Sequence, residues 1–193
     1  LHSAEYGWLH DHFAAVILAL PAPQVVPLLQ IAAPEISRLA KSVVMRGCWS
    51  LMLHFSTPTG LPFDAAFVND GPLSWLARDS SKPQRKGKEM WILHASEAWS
   101  EANIEQEKTW VANELLKAFY QLGGTTPAEW VAHRWRYAKA DPSLNLGSHW
   151  SVEKQIGLCG DWLNGGKVEG AWLSGKALAG QVAQSLVDKK YAL

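Results

Sequence analysis

Gly157-Leu-Cys-Gly-Asp-Trp-Leu-Asn-Gly-Gly-Lys-Val-Glu-Gly-Ala-Trp-Leu-Ser-Gly-Lys-Ala-Leu-Ala179 reads as one unit of strand, glycine-rich turn and helix. Ile156 to Cys159 is a short apolar strand, Gly160-Asp161 ends it, Asn164-Gly165-Gly166 makes a loop, and Val168 to Leu186 has helical periodicity. The inner stripe of that helix is expected to be Ala171, Ser174, Gly175, Leu178, Ala179 and Val182. Its first two turns are mostly small side chains, so the backbone there can approach a sheet or a ligand closely, while Leu178 and Val182 anchor by apolar packing. A helix start behind such a turn offers free amides that bind anions and electron-rich carbonyls. Neither GxGxxG nor GxxxxGK[ST] occurs in the chain, so on composition the turn reads equally as a ligand loop or as a structural turn.

Outward from this unit, Phe13 to Leu20 is a continuous apolar run closed by Pro21, which reads as a strand buried on both faces at the centre of an α/β sheet. Prolines at 23, 27 and 34 then punctuate two short helices, the second opened by Pro34 and carrying Ile36, Leu39, Ala40 and Val43. The middle of the chain changes character. Trp49 to Phe55 alternates, with Trp49, Leu51, Leu53 and Phe55 on one face and Ser50, Met52 and His54 on the other. Leu73 to Ala77, Met90 to Ala95 and Val131 to Ala138 also read as strands of an antiparallel or mixed sheet. One helix is expected across a face of that sheet, capped by Ser100, with Glu101, Glu105 and Glu107 at its positive end and Val111, Leu115, Ala118 and Leu122 as its stripe, ended by Gly123-Gly124. The fold class is therefore α/β, or α+β overall. No internal repeat or low-complexity tract interrupts it.

The 193 residues are 48% hydrophobic, enough for one domain or two small lobes with a real core. Eighteen Lys and Arg balance eighteen Asp and Glu, so nothing global points to nucleic acid or a membrane surface. The eight-residue run at Phe13 to Leu20 is well short of the roughly 20 residues of a membrane-spanning helix. Cys48 and Cys159 sit in no CxxC or Cys/His pattern, so no metal site is signalled and a cytoplasmic location is the expectation. Leu1-His2-Ser3 carries no initiator Met and no tripartite leader, from which the chain is expected to begin inside a longer gene product. Eleven tryptophans suit either a thick core or a cavity walled by aromatic faces for a flat ligand.

The stretch 157–179 resembles the C-terminal FAD-binding motif of the flavin-dependent amine oxidase superfamily, a Gly-Asp followed by a loop and Val-Glu-Gly-Ala-x-x-Ser-Gly. Phe13-Ala-Ala-Val-Ile-Leu-Ala-Leu-Pro-Ala-Pro-Gln24 is similar to that superfamily's strand leaving the FAD domain. Trp91-Ile-Leu-His-Ala-Ser96 with Trp99-Ser100, then His133-Arg-Trp-Arg-Tyr-Ala138, resembles bacterial renalase-like oxidoreductases. The resemblance covers nearly the whole chain. It implies the C-terminal portion of a longer two-lobe flavoprotein whose N-terminal Rossmann βαβ unit, with GxGxxG, is missing from this sequence. Residues 1–22 would then be an FAD-domain segment, 23–153 the substrate-binding domain, and 154–193 the closing strand and helix of the FAD domain.

Carried over by motif position, Gly160 and Asp161 lie beside the ribityl and pyrophosphate of FAD, and Val168, Glu169, Gly170 and Ala171 form the helix start under the flavin N1/C2=O edge. Reduced flavin places negative charge at that edge, which a helix N-terminus stabilises. Gly170 is expected to be needed because a side chain there obstructs close approach. On the substrate side His133, Trp135 and Tyr137 fall on one strand face, and family position makes Trp135, His94 and Trp49 candidates for the cavity wall. His94 and His133 read either as satisfied structural histidines or as polar groups orienting an amide or ribose.

The implied reaction is oxidation of a reduced nicotinamide dinucleotide, with electrons passing through flavin to oxygen. Hydride transfer needs positioning more than proton abstraction, so no catalytic acid is expected. Oxidation of an amine is the alternative within the superfamily. A non-catalytic module that needs a partner polypeptide bearing the Rossmann unit is the alternative outside it. Lys82, Arg85, Lys86 and Lys88 read as a solvated loop or as a holder of nucleotide phosphates.

Overall fold

A computed structural model describes residues 2–191. In chain order the elements are β1 (His2–Ser3), β2 (Gly7–Trp8), β3 (Val16–Leu18), α1 (Ala22–Leu29), α2 (Pro34–Lys41), β4 (Met45–His54), β5 (Ala65–Phe67), β6 (Leu73–Arg78), β7 (Met90–Ala95), α3 (Glu97–Ala102), α4 (Lys108–Gln121), β8 (Glu129–Ala140), β9 (His149–Ser151), β10 (Ile156–Leu158) and α5 (Val168–Tyr191). The α/β class is as the pattern predicts. Two compact units form, one from residues 1–44 with 139–193 and one from residues 45–138.

In the first unit β3 pairs in parallel with β10, which pairs antiparallel with β9, giving the order β3-β10-β9. Here the sequence expectation fails in part. The strand is three residues rather than eight, and Ile17 is 45% exposed rather than buried. Among the described residues β3 is an edge, so only one of its sides has a hydrogen-bonded neighbour. The two proline-opened helices form as expected, burying Ala22, Val25 and Leu29 from α1 and Ile36, Ser37 and Ala40 from α2. Ser37 Oγ donates to the Val26 carbonyl at 3.1 Å and joins the pair. Of the expected stripe of α5, Ser174 and Leu178 are buried, Ala171, Gly175 and Val182 are half-buried and Ala179 is exposed; Gly170, outside that stripe, is buried as well.

The second unit is a five-stranded sheet of order β5-β6-β7-β4-β8. Strand β8 runs antiparallel to β4, since Ala128 N bonds the His54 carbonyl at one end and Asp141 N the Val44 carbonyl at the other. The alternation expected for Trp49 to Phe55 holds: Trp49, Leu51, Leu53 and Phe55 enter one core with Leu76, Trp91, Leu93, Val111, Leu115 and Phe119. Strand β5 was not legible in the sequence. The single helix capped by Ser100 is instead two, because Ser96 caps α3 by accepting from Trp99 N, and residues 103–107 separate α3 from α4. Ser100 lies inside α3, fully buried, with its hydroxyl accepting from Trp49 N at 3.1 Å. Its apparent capping position reflects the same hydroxyl chemistry used for a tertiary contact.

Three of the eleven tryptophans, Trp49, Trp91 and Trp162, are core residues, while Trp8, Trp110, Trp130, Trp135 and Trp172 are exposed. Core packing therefore accounts for a minority of them.

Candidate functional site

In the second unit, the sheet face opposite the core carries a row of residues in direct cross-strand register: Phe67 opposite Trp75, Trp75 opposite His94, and His94 opposite Ser50. Register neighbours on one face are in side-chain contact range, and the Trp75 and His94 rings are 5.2 Å apart. Farther along the face, on β8, the His133 and Trp135 rings are 4.2 Å apart. Trp135 is 53% exposed and Tyr137 also faces solvent, whereas Ala132, on the other face of β8, is in the core. The placement of His133, Trp135 and Tyr137 together is as the alternation predicts.

His94 is half-buried, and that burial, helped by the positive charge of Lys82, pushes its pKa down, so the imidazole is neutral at pH 7. A neutral imidazole offers one donor and one acceptor. Ser50 is 2% exposed, and its hydroxyl has no nitrogen or oxygen partner. Beside it on β4, the Cys48 thiol is kept protonated by burial, against smaller opposing contacts with Ser50 and Ala95. Such a thiol is a weak hydrogen-bonding group.

Trp49 does not join this face. It is 1% exposed on the core side, its Nε1 donates to the Asn103 carbonyl at 2.9 Å, and the Arg134 guanidinium lies 5.7 Å from its ring centroid. Sequence reasoning assigned it to the cavity wall but missed Ser50, Trp75 and Phe67. The alternation of Trp49 to Phe55 already set Ser50 apart from Trp49, and a register for β6 was the missing piece.

In the first unit, β10 feeds a sharp turn at Gly160, whose φ of +153° is glycine territory. Gly160 N donates to Ser174 Oγ at 3.1 Å, and the Asp161 carbonyl accepts from Asn164 N at 2.9 Å and Gly166 N at 2.8 Å. Asn164 Nδ2 donates to the Gly170 carbonyl at 3.1 Å, which ties the loop to the helix. The first helical bond of α5 is from Ala171 N to the Lys167 carbonyl. Among the described residues the amides of Val168, Glu169 and Gly170 have no partner, as a helix start requires. Asp161 is half-buried and its carboxylate makes no hydrogen bond there. The structure therefore brings Gly160, Asp161, Val168, Glu169, Gly170 and Ala171 together in one turn. Three free amides, an unengaged carboxylate and small residues at 170 and 171 fit a dinucleotide carrying hydroxyls and an anionic edge, so FAD suits this turn.

Two of the four cations of the basic loop share one carboxylate, which leaves the loop net positive. Lys82 Nζ and Arg85 Nη1 lie 2.7 and 3.2 Å from the Asp79 carboxylate, whose pKa is pulled down by the Lys82 hydrogen bond, against burial and with the positive charges of Lys82 and Arg85.

No protein-family model matches the chain. Its fold is shared with solved oxidoreductases. A protein from Exiguobacterium sp. 255-15 assigned as a protoporphyrinogen oxidase superposes with a TM-score of 0.67 at 13% identity, covering 88% of this chain and 41% of that one. Cyclohexylamine oxidase from Brevibacterium oxydans IH-35A gives a TM-score of 0.71 at 10% identity, covering 89% and 43%. An oxidoreductase from Methanosarcina mazei gives 0.64 at 14% identity, covering 88% and 43%. The chain thus spans less than half the length of the solved structures it matches. No helix among the described residues is long and apolar enough to cross a membrane.

Proposed function

We propose that this chain belongs to a renalase-like FAD-dependent oxidoreductase of the flavin amine oxidase superfamily, and that its substrate is a dihydronicotinamide nucleotide, with oxygen as acceptor. The motif resemblance of residues 157–179 and the fold shared with oxidases support the cofactor and the reaction class. The observation that carries the substrate reading is the register row Phe67, Trp75, His94 and Ser50, an aromatic surface with a neutral polar end. A flat, uncharged dihydropyridine ring suits stacking on such a surface.

Residues 1–22 and 154–193 serve the cofactor in this reading, and segment 23–153 serves the substrate. Asp161 accepts from a cofactor hydroxyl, and the amides of Val168, Glu169 and Gly170 donate to an electron-rich edge. Trp75 and Trp135 orient the substrate ring and exclude water from its face. FAD, when bound, supplies the redox chemistry: two electrons leave the dihydronicotinamide as a hydride equivalent and pass to oxygen with protons, giving hydrogen peroxide. No side chain needs to take a proton from carbon.

The test is oxygen consumption by the flavin-loaded protein containing this chain, with peroxide measured in the same vessel. One peroxide per dihydronicotinamide oxidised is expected. Turnover of cyclohexylamine with none of any dihydronicotinamide would contradict the substrate reading.

A further inference from the structure

On the open sheet face, the buried Ser50 hydroxyl meets no nitrogen or oxygen partner. A buried hydroxyl without a partner loses its hydration and gains nothing in return, so native structures hold few of them. This one sits at the polar end of the row, opposite His94 on the neighbouring strand. The Cys48 thiol beside it is a poor substitute for an oxygen or nitrogen partner. A serine hydroxyl moves between three staggered positions by rotation about a single bond, so it can turn toward a ligand on the face without moving backbone.

The two side chains have matching chemistry. Serine both donates and accepts, and a neutral imidazole does the same through its two nitrogens. A primary carboxamide needs that set, since its carbonyl takes a donor and its NH2 takes an acceptor. An alkylammonium needs acceptors and a compensating negative charge. The acids near the Ser50 end of β4, Glu97 and Glu101, are engaged by the Arg46 guanidinium at 3.9 and 4.0 Å, and Glu129 lies at the far end of the strand with a carboxylate oxygen 3.8 Å from His54 Nδ1.

We infer that Ser50, together with His94, determines specificity on this face by hydrogen-bonding the carboxamide of a planar ligand stacked on Trp75, and that the pair disfavours aliphatic ammonium ligands. The inference rests on the substrate reading above and adds the residues that read the substrate's amide. A site built to hydrogen-bond a ligand NH2 rejects an analogue lacking it, because its own polar groups are then left unpaired.

The test is ligand-observed NMR on the full 193-residue chain. The probes are reduced nicotinamide mononucleotide, its 3-acetyl counterpart, which keeps the ring and carbonyl but has no amide N–H, and cyclohexylamine. The wild type is expected to bind the carboxamide about tenfold more tightly than the acetyl compound, the equivalent of one lost hydrogen bond. Ser50→Ala and His94→Phe should each weaken carboxamide binding, the one that removes the acceptor of the amide N–H should bring that ratio close to one, and Ser50→Thr, which keeps the hydroxyl, should restore wild-type binding. Preference that persists in folded Ser50→Ala and His94→Phe, or is absent from the wild type, overturns the specificity assignment and leaves the substrate reading standing. Binding of cyclohexylamine alone, or of none of the three, overturns both.

Discussion

The α-carbon of Gly170 lies against the backbone carbonyl of Asn164, where a Cβ would stand 2.0 Å from the oxygen. The glycine is required by the protein's own turn, which must close on the helix start for Asn164 Nδ2 to reach the Gly170 carbonyl. That differs from the sequence expectation, in which the glycine keeps a side chain out of the cofactor's way. Gly170→Ala should therefore destabilise the chain by about 1 to 3 kcal/mol with no ligand present. Gly180→Ala, in the same helix with nothing within 4 Å of a new Cβ, should instead stabilise by about 0.5 to 1 kcal/mol. Urea unfolding of both variants checks the contrast.

Trp49 and Trp135 should separate cleanly. Removing the Trp49 ring leaves a cavity in the core and takes from the Asn103 carbonyl one of its two donors, the other being Gln106 N, so Trp49→Ala should cost about 3 to 5 kcal/mol. Trp135, on the solvent side of β8, should change stability by no more than about 0.5 kcal/mol on truncation. Its loss should appear in ligand affinity, read by the same NMR experiment. Equal destabilisation by the two variants would place Trp135 in a core instead.

Glu89 governs the acid sensitivity of the second unit. Burial alone would raise its pKa, but hydrogen bonds from Thr59 Oγ1 at 2.6 Å, Trp91 Nε1 at 2.6 Å and Thr59 N at 3.2 Å, with the charge of Arg78, hold it below the ordinary value. The unfolded chain takes up this proton first, near pH 4.3 (about the model-peptide value). The stabilisation is therefore complete above that pH and is lost as pH falls through the lower folded value. Glu89→Ala should cost about 3 kcal/mol at pH 7 and flatten the acid limb of the stability profile. An unchanged acid limb would remove Glu89 from this role.

His94 has the opposite charge type and the same sign of linkage. Its pKa is depressed by burial and by Lys82, so the unfolded histidine protonates first, near pH 6.5 (about the model-peptide value). Its contribution is complete above that pH and declines as pH falls toward the folded pKa. Imidazole NMR should show a titration midpoint below the model-peptide value, and Lys82→Ala should move it upward. A midpoint at that value would mean the ring is solvated, and one above it that the ring is paired with an acid.

Much of this architecture is written in local pattern. The alternation from Trp49 to Phe55 encodes the core face of β4, and the prolines at 23 and 34 open two helices. The turn at 157–179 carries both its geometry and its motif. What escaped the sequence is set by non-local pairing. Three-residue β5 is too short to show a period, and Phe67 joins the aromatic row only through its register with Trp75. The break between α3 and α4 is masked because residues 103–107 contain neither Gly nor Pro, while Glu105 is drawn instead to Arg134 and Arg136 on β8. Ser50 could be assigned to a face, but its burial and unpaired hydroxyl arise only once β7 lies alongside.

The central claim is most directly tested by anaerobic rapid mixing of the flavin-loaded protein with a dihydronicotinamide nucleotide, following the visible flavin absorption. The account predicts fast bleaching by the dihydronicotinamide and none by a simple amine. Rapid bleaching by cyclohexylamine with no response to any dihydronicotinamide would contradict it.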